Sequence, residues 1–121
     1  EGTSSTSPAS GGWQRSFTLT TAGAVTVRFD YRLLNTGLDS NQNECADVMV
    51  KIDNTLYGSS GSNYVIHQCG GFNGSWTTFT FQSSQLTSGT HTITIGGYLT
   101  KSSKDNEKAD VYIDNVLVQT N

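Results

Sequence analysis

The chain has 121 residues, of which 34% are hydrophobic and 14% are charged, and its formal net charge is −3. This length suffices for one domain with a core but not for two. The charged fraction is well below the roughly 25% of average soluble domains, and a net acidic chain with only 7 Lys and Arg is a poor general nucleic-acid binder. No apolar run approaches the length of a membrane span. We therefore expect an extracellular all-β domain that binds neither nucleic acid nor membranes.

Residues 1–12 are rich in Ser and Gly and contain the only proline, so we predict a loop or linker there and one domain over 13–121. After it, short segments alternate apolar and polar residues and are separated by turn signals. In chain order these segments are 13–20, 24–34, 47–52, 64–69, 76–82, 90–95 and 110–118. These segments predict seven or eight strands in all. Because each alternates with period two and has one buried face, we expect the sheets to be antiparallel. The predicted fold is a single antiparallel β-sandwich.

The clearest strand is 24–34. Val25, Val27, Phe29, Tyr31 and Leu33 share one face, and a polar face with Arg28, Asp30 and Arg32 lies opposite. By the same parity, Tyr64 and Ile66 point inward, as do Ile93 and Ile95 on their strand.

Cys45 and Cys69 are the only cysteines. Parity places both on the non-core face of neighbouring strands, as a cross-strand disulfide requires, and a disulfide implies secretion or surface display. Two free, half-buried thiols are the alternative. Neither histidine gives a recognisable Cys/His metal pattern with them.

Four segments carry a family resemblance. AGAVTVRFDYR at 22–32, SWTTFTF at 75–81, LTSGTHTITI at 86–95 and DVYIDNVLV at 110–118 resemble strands of carbohydrate-binding modules with a β-jelly-roll, galactose-binding-like fold. Glu1-Gly2 followed by Trp13 is similar to the end of the opening segment of that family. The resemblance covers nearly the whole chain in the right order, and it implies a jelly roll without specifying the ligand.

The resemblance also implies a structural calcium ion. In the family, an aspartate of the closing strand and an acidic residue near the N-terminus contribute ligands, which correspond here to Asp114 and Glu1. The alternative is that Asp114 is a turn residue and Glu1 a frayed terminus. The loop 39–44 begins like an EF-hand but lacks its glycine and its closing glutamate, so we interpret it as a solvated loop.

If the strands share one sheet, their polar faces bring together residues that could bind a sugar. In sugar-binding sites, aromatic rings stack on the C–H faces of pyranose rings, and charged groups form hydrogen bonds with the hydroxyls. The predicted carbohydrate-binding residues are Arg28, Asp30, Arg32, Lys51, Trp76 and Tyr112. A salt-bridge ladder on a solvated sheet is the alternative for the charged members. Core packing is the alternative for Trp76, and Tyr112 could serve only to cover the sheet edge.

No paired carboxylates in a cleft, nucleophile elbow or phosphate loop is recognisable, so we expect no enzymatic activity. The predicted function is a secreted, monomeric carbohydrate-binding module that targets a parent catalytic domain in cis to its polysaccharide. Basic residues at Lys101, Lys104 and Lys108 and on the polar face suggest an acidic polysaccharide as an alternative ligand. The competing hypothesis is a calcium-stiffened structural or adhesion domain without a sugar site.

Overall fold

The computed structural model describes residues 9–100 and 107–121, and side chains from residue 12 onward. Nine strands follow in chain order, in the part of the chain so described. They are β1 (Ala9–Leu19), β2 (Val25–Thr36), β3 (Cys45–Ile52), β4 (Thr55–Tyr57), β5 (Ile66–Cys69), β6 (Phe72–Asn73), β7 (Thr77–Gln82), β8 (Gly89–Leu99) and β9 (Lys108–Thr120). Two single turns of 3-10 helix lie at Ser40–Gln42 and Ser59–Gly61. Within these residues, no helix is long and apolar enough to cross a membrane.

The strands form two antiparallel sheets. In the five-stranded sheet the order is β1-β8-β3, and the far edge of β3 pairs with β5 over its first half and with β4 over its second half. In the four-stranded sheet, β2 is central, with β9 along one edge and β7 and β6 along the other. All these pairings are antiparallel, which confirms the predicted β-sandwich and is consistent with a jelly roll.

The core lies between the inner faces of the two sheets. The inward residues of β2 are buried as their parity predicts, and Phe29 is fully buried. They pack against apolar residues of β3 and β8, namely Ala46, Val48, Val50, Ile52, Ile93, Ile95 and Leu99. Burial of these aliphatic and aromatic side chains supplies the main force that holds the sheets together.

Two predicted boundaries differ from the structure. β1 begins at Ala9, so residues 9–12 of the predicted linker belong to the first strand, and residues 1–8 lie outside the described part of the chain. Tyr64, predicted to point inward, is 37% exposed, whereas Val65 is buried. The reason is that β5 begins only at Ile66, so the period-two alternation does not extend back to residue 64.

A β-bulge interrupts β9 opposite the middle of β2. Asp30 pairs with Asp114 and Arg28 with Leu117, so β9 carries one extra residue there. Asn115 takes up the bulge in the left-handed region, at φ 54, where asparagine is tolerated better than most residues. The bulge turns the Asn115 amide onto the outer face of the four-stranded sheet, where its Nδ2 donates to Asp30 Oδ2 at 2.9 Å.

Candidate functional site

Five of the six predicted carbohydrate-binding residues meet on one surface, and the sixth does not. Arg28, Asp30 and Arg32 project from β2 onto the outer face of the four-stranded sheet, and Tyr112 of β9 pairs directly with Arg32. Trp76 lies in the short loop before β7, within ring-contact distance of Tyr112. Lys51 belongs to β3 and therefore faces away from this surface, on the other sheet.

The aromatic face, defined by Trp76, Tyr112 and Arg32, is exposed and fixed in position. The exposed fractions are 53% for Trp76 and 41% for Tyr112, and their ring centroids lie 6.5 Å apart with planes inclined by 54°. The Arg32 guanidinium carbon stands 5.4 Å from the Tyr112 ring centroid, a cation–π contact. The two rings therefore form a solvent-facing platform, and Trp76 is not part of the core.

Arg32 also anchors the loop that carries Trp76. Its Nε donates to the Gly74 carbonyl at 2.9 Å and an Nη donates to Asn73 Oδ1 at 2.7 Å. A planar guanidinium that makes several contacts at once loses little freedom per bond formed. Arg32 thus holds Tyr112 and the 74–76 loop in one arrangement, and its main role here is positional.

Asp30 lies at the centre of the polar part of this surface. Its carboxylate accepts from Asn115 Nδ2 at 2.9 Å and from Thr78 Oγ1 at 2.6 Å. These hydrogen bonds, from Asn115 first and Thr78 second, lower the pKa of Asp30, and the charge of Arg28 lowers it further. Asp30 is therefore ionised at neutral pH. Each of its oxygens keeps a second lone pair that could accept from a ligand hydroxyl.

The opposite face of the molecule carries a groove of about 510 Å³ across the five-stranded sheet. Its floor includes Gly12 and Gly96, which are directly opposite each other, and Met49, which pairs with Gly96 from the other side. A Cβ at Gly12 would lie 2.8 Å from the Ile95 carbonyl oxygen, so a side chain does not fit there. The groove contains Lys51 and is a competing surface for a ligand.

Only one of the two predicted calcium ligands is among the described residues. Glu1 lies outside them, and Asp114 is exposed in β9, where its Oδ1 accepts from the backbone N–H of Asn115 at 2.8 Å. The nearest register partner of Asp114 is Asp30, whose carboxylate is already bonded to Thr78 and Asn115. Among the described residues, Asp114 and Asp30 thus offer two carboxylates toward the six to eight oxygens that calcium takes.

Buried oxygens gather instead at the end of the sandwich where β2 ends and β3 and β9 begin. Asn35 of β2 is 5% exposed, and its Nδ2 donates at 3.1 Å to the carbonyls of both Gln68 and Gly70. Its Oδ1 is buried without a hydrogen-bond partner among the described residues. Such an atom is unusual in a native protein and calls for a partner that the residues 9–100 and 107–121 do not supply.

Two buried carboxylates lie at the same end. Glu44 is 0% exposed; its backbone carbonyl accepts from Gly70 N–H at 3.0 Å, and its Oε1 accepts from Asp39 N–H at 2.7 Å. Glu107, 2% exposed, immediately precedes the pairing of Lys108 with Thr36 at the end of β2. Buried carboxylates and an amide oxygen are hard donors of the kind that calcium prefers.

The predicted disulfide is confirmed, and it has neighbours that the sequence did not reveal. Cys45 and Cys69 are bonded and face each other directly across β3 and β5. Asp47 and His67 form the next outward-facing pair. His67 Nδ1 hydrogen-bonds to Asp47 Oδ1, and His67 Nε2 lies 3.4 Å from Cys69 Sγ. One signal in the sequence could have indicated this cluster: a potential metal ligand lies two residues from each cysteine, as Cys45-x-Asp47 and His67-x-Cys69.

Compared with known proteins, the chain matches no family profile, no curated protein and no solved structure. The fold and the outer surfaces therefore define the protein only as an all-β antiparallel sandwich with one disulfide. Any indication of function therefore lies in the surfaces themselves.

Proposed function

We propose that the chain is a non-catalytic carbohydrate-binding module whose ligand lies on the aromatic face. The observation that carries this proposal is the pair of exposed rings, Trp76 and Tyr112, held 6.5 Å apart by an anchored arginine. Exposed, contiguous aromatic surface costs free energy in water unless a ligand covers it. Aromatic rings offer flat apolar surfaces that match the C–H faces of pyranose rings, with polar groups close by for the hydroxyls.

The polar groups next to the rings give orientation to such a ligand. Asp30 can accept from hydroxyls, Arg28 can donate to them, and the exposed hydroxyl of Tyr112 can do either. The rings supply apolar contact, and these groups supply directional contacts, as is usual for sites that bind one orientation of a ligand.

The charges of this surface favour a neutral polysaccharide over an acidic one. Arg28 and Arg32 are offset by Asp30 and Asp114, which pair across β2 and β9. Lys108, the one basic residue of the last loop region that is described, lies 3.6 Å from Asp110. An acidic polymer would be attracted by a net positive surface, which these residues do not provide.

Affinity electrophoresis in gels containing soluble cellulose, xylan, mannan, β-1,3-glucan or alginate tests the binding site. We expect one neutral polymer to retard the wild-type chain, and Trp76→Ala and Tyr112→Ala to weaken binding roughly tenfold or more because each removes a stacking surface. Lys51→Ala, on the other sheet, is the matched control and should bind like the wild type.

Three outcomes would contradict this proposal in different ways. Retardation by none of the polymers would remove the carbohydrate function. Loss of binding in Lys51→Ala with Trp76→Ala unaffected would move the site to the groove of the five-stranded sheet. Retardation by alginate alone, lost at high salt, would favour the acidic ligand class.

The proposal includes secretion and attachment to a catalytic domain. The Cys45–Cys69 disulfide supports an oxidising, extracytoplasmic location. A binding module of this kind would act by raising the effective concentration of the attached enzyme at its insoluble substrate. We propose a monomer without catalytic activity of its own.

The second candidate function is a calcium-stiffened structural or adhesion domain. The observation that favours a calcium ion is the Oδ1 of Asn35, which has no hydrogen-bond partner in the described part of the chain and is buried at the end of the sandwich where Glu44 and Glu107 are also buried. These residues would hold the ion between the end of β2 and the start of β3. The site at Asp114 and Glu1 remains the alternative proposal for the same ion.

Thermal unfolding with and without a chelator tests calcium binding. We expect EDTA to lower the wild-type melting temperature by roughly 10 °C from its value in calcium at about a hundred times Kd. Asn35→Ala should abolish that difference, whereas Asp114→Asn should retain it. The reverse pattern would place the ion at Asp114, and an unchanged wild-type melting temperature would contradict calcium binding altogether.

A further inference from the structure

The Cys45–Cys69 disulfide, His67 and Asp47 form a compact cluster on the outer face of the five-stranded sheet. Cys45 pairs with Cys69, and Asp47 pairs with His67 two residues further along β3. The two sulfurs and a His67 ring nitrogen all lie within 4.8 Å of one another. This surface is remote from the aromatic face because it belongs to the other sheet.

The Asp47 carboxylate fixes the orientation of the His67 ring. Since Nδ1 faces Asp47 Oδ1, the Nδ1 proton is held by the carboxylate, and Nε2 is left to face Cys69 Sγ at 3.4 Å. A carboxylate behind a histidine in this way is the usual support of a metal-ligating imidazole, because it fixes the tautomer and raises the basicity of the other nitrogen.

One of the three ligand-to-ligand distances already matches a tetrahedral zinc ion. Zinc bonds of about 2.3 Å to sulfur and about 2.0–2.1 Å to nitrogen, at tetrahedral angles, place ligand nitrogen and sulfur about 3.5 Å apart. The observed Nε2 to Cys69 Sγ distance is 3.4 Å. Only the two sulfurs must move, from a covalent bond to a separation of about 3.8 Å, which small rotations about the Cα–Cβ bonds of two facing residues can provide.

We propose that the reduced form of this chain binds Zn²⁺ through Cys45, Cys69 and His67. Two equivalents of an external thiol, RSH, reduce the disulfide to two Cys thiols and are themselves oxidised to RSSR. Zn²⁺ then bonds both sulfurs as the two thiol protons leave to solvent, and the neutral Nε2 becomes the third ligand.

The fourth coordination position faces solvent. Cys69 is exposed and the His67 side chain is 38% exposed, whereas Cys45 and Asp47 are buried. A zinc ion with three protein ligands and one open position binds water or a small ligand there, unlike a closed four-ligand structural site. The oxidised form has no thiolates and does not bind the ion.

Zinc binding and reduction of the disulfide each favour the other. Because Zn²⁺ binds only the dithiol, free Zn²⁺ makes the disulfide easier to reduce, and each tenfold change in the dithiol-to-disulfide ratio corresponds to about 30 mV for this two-electron couple. We expect the reduction potential to rise with Zn²⁺ concentration in the wild type. In His67→Ala the rise should be much smaller.

Titration with Co²⁺ and competition by Zn²⁺ test the site directly, on the whole chain reduced with a phosphine and on the oxidised chain. We expect the reduced chain to bind one ion with the thiolate-to-cobalt absorption of a tetrahedral site, and the oxidised chain to show none. Asp47→Asn should weaken zinc binding roughly 10- to 100-fold. Lys51→Ala, on the same outer face, should leave it unchanged.

Near-UV circular dichroism separates metal binding from folding. If reduction unfolds the chain, added Zn²⁺ should restore the native spectrum, since ligand formation and folding are coupled. Absence of thiolate-to-cobalt absorption in the reduced chain would overturn the proposal. So would a folded His67→Ala variant that binds Zn²⁺ as tightly as the wild type, or a reduced, unfolded chain that zinc does not restore.

Discussion

Replacing Cys45 and Cys69 together by alanine is expected to lower the free energy of unfolding by about 3 kcal/mol. The disulfide closes a loop between residues 24 apart, and a cross-link of that span removes conformational freedom mainly from the unfolded chain. It also holds β5, a strand of four residues, to the start of β3 at the sheet edge. Domains of this size are stable by about 5–15 kcal/mol, so the variant should remain folded.

Urea denaturation followed by tryptophan fluorescence measures this effect. The matched control is Ser16→Ala, an exposed position on β1 of the same sheet, which should change the free energy of unfolding by only a few tenths of a kcal/mol. A loss below about 1 kcal/mol in the cysteine variant would show that the disulfide constrains the unfolded chain far less than its span predicts.

Replacing His91 by phenylalanine is expected to cost about 2 kcal/mol near pH 5 and less at alkaline pH. His91 is 7% exposed, and both ring nitrogens face acceptors at 2.7 Å: Nδ1 faces Asp53 Oδ2, and Nε2 faces the Thr87 carbonyl. Only the imidazolium has two N–H groups to donate. A hydrogen bond that involves a charged partner is worth about 1.5–3 kcal/mol, and the half-exposed Asp53 carboxylate places this one in the lower part of that range.

The pKa shifts of this pair set the pH dependence. The hydrogen bond to Asp53, followed by that to Thr87, raises the pKa of His91 above its usual 6.5. The hydrogen bond from His91, followed by that from the Thr92 backbone, lowers the pKa of Asp53 below its usual 3.8. The stabilisation from this hydrogen-bonded pair is therefore fully present at pH values between the ordinary pKa of Asp53 and the ordinary pKa of His91. It declines as pH rises through the folded-state pKa of His91, and as pH falls through that of Asp53.

Free energies of unfolding measured from about pH 4 to pH 9 test this in the wild type, His91→Phe and a control, Asp39→Asn. Asp39 is a carboxylate in a loop whose side chain accepts from its own turn rather than from a histidine. We expect the wild type and the control to lose stability together above neutral pH, whereas His91→Phe should lose much less. Parallel curves for all three chains would contradict a protonated His91 in the fold.

The surface that carries the aromatic face could be predicted in part from the alternation of polar and apolar residues. Arg28, Asp30 and Arg32 follow one another at period two on a strand whose other face is wholly apolar. The sequence alone therefore predicts that they share the outward face. That Trp76 and Tyr112 join them was predicted only on the condition that the strands share one sheet, because the contact depends on β7 and β9 flanking β2 on opposite edges. Lys51 shows the same limit: its parity was right, but parity does not say to which sheet a strand belongs.

The chain's own sequence determined the class of fold, the inward and outward residues of β2 and β8, and the pairing of the only two cysteines. Each follows from local periodicity or from the absence of an alternative partner. The tertiary structure decided which outward residues meet. It brought His67 and Asp47 to the disulfide, turned Asn115 toward Asp30 through a bulge, and buried Glu44 and Glu107 at one end. These contacts join residues 20 to 85 positions apart, and such pairings are set by strand order and register rather than by any local pattern.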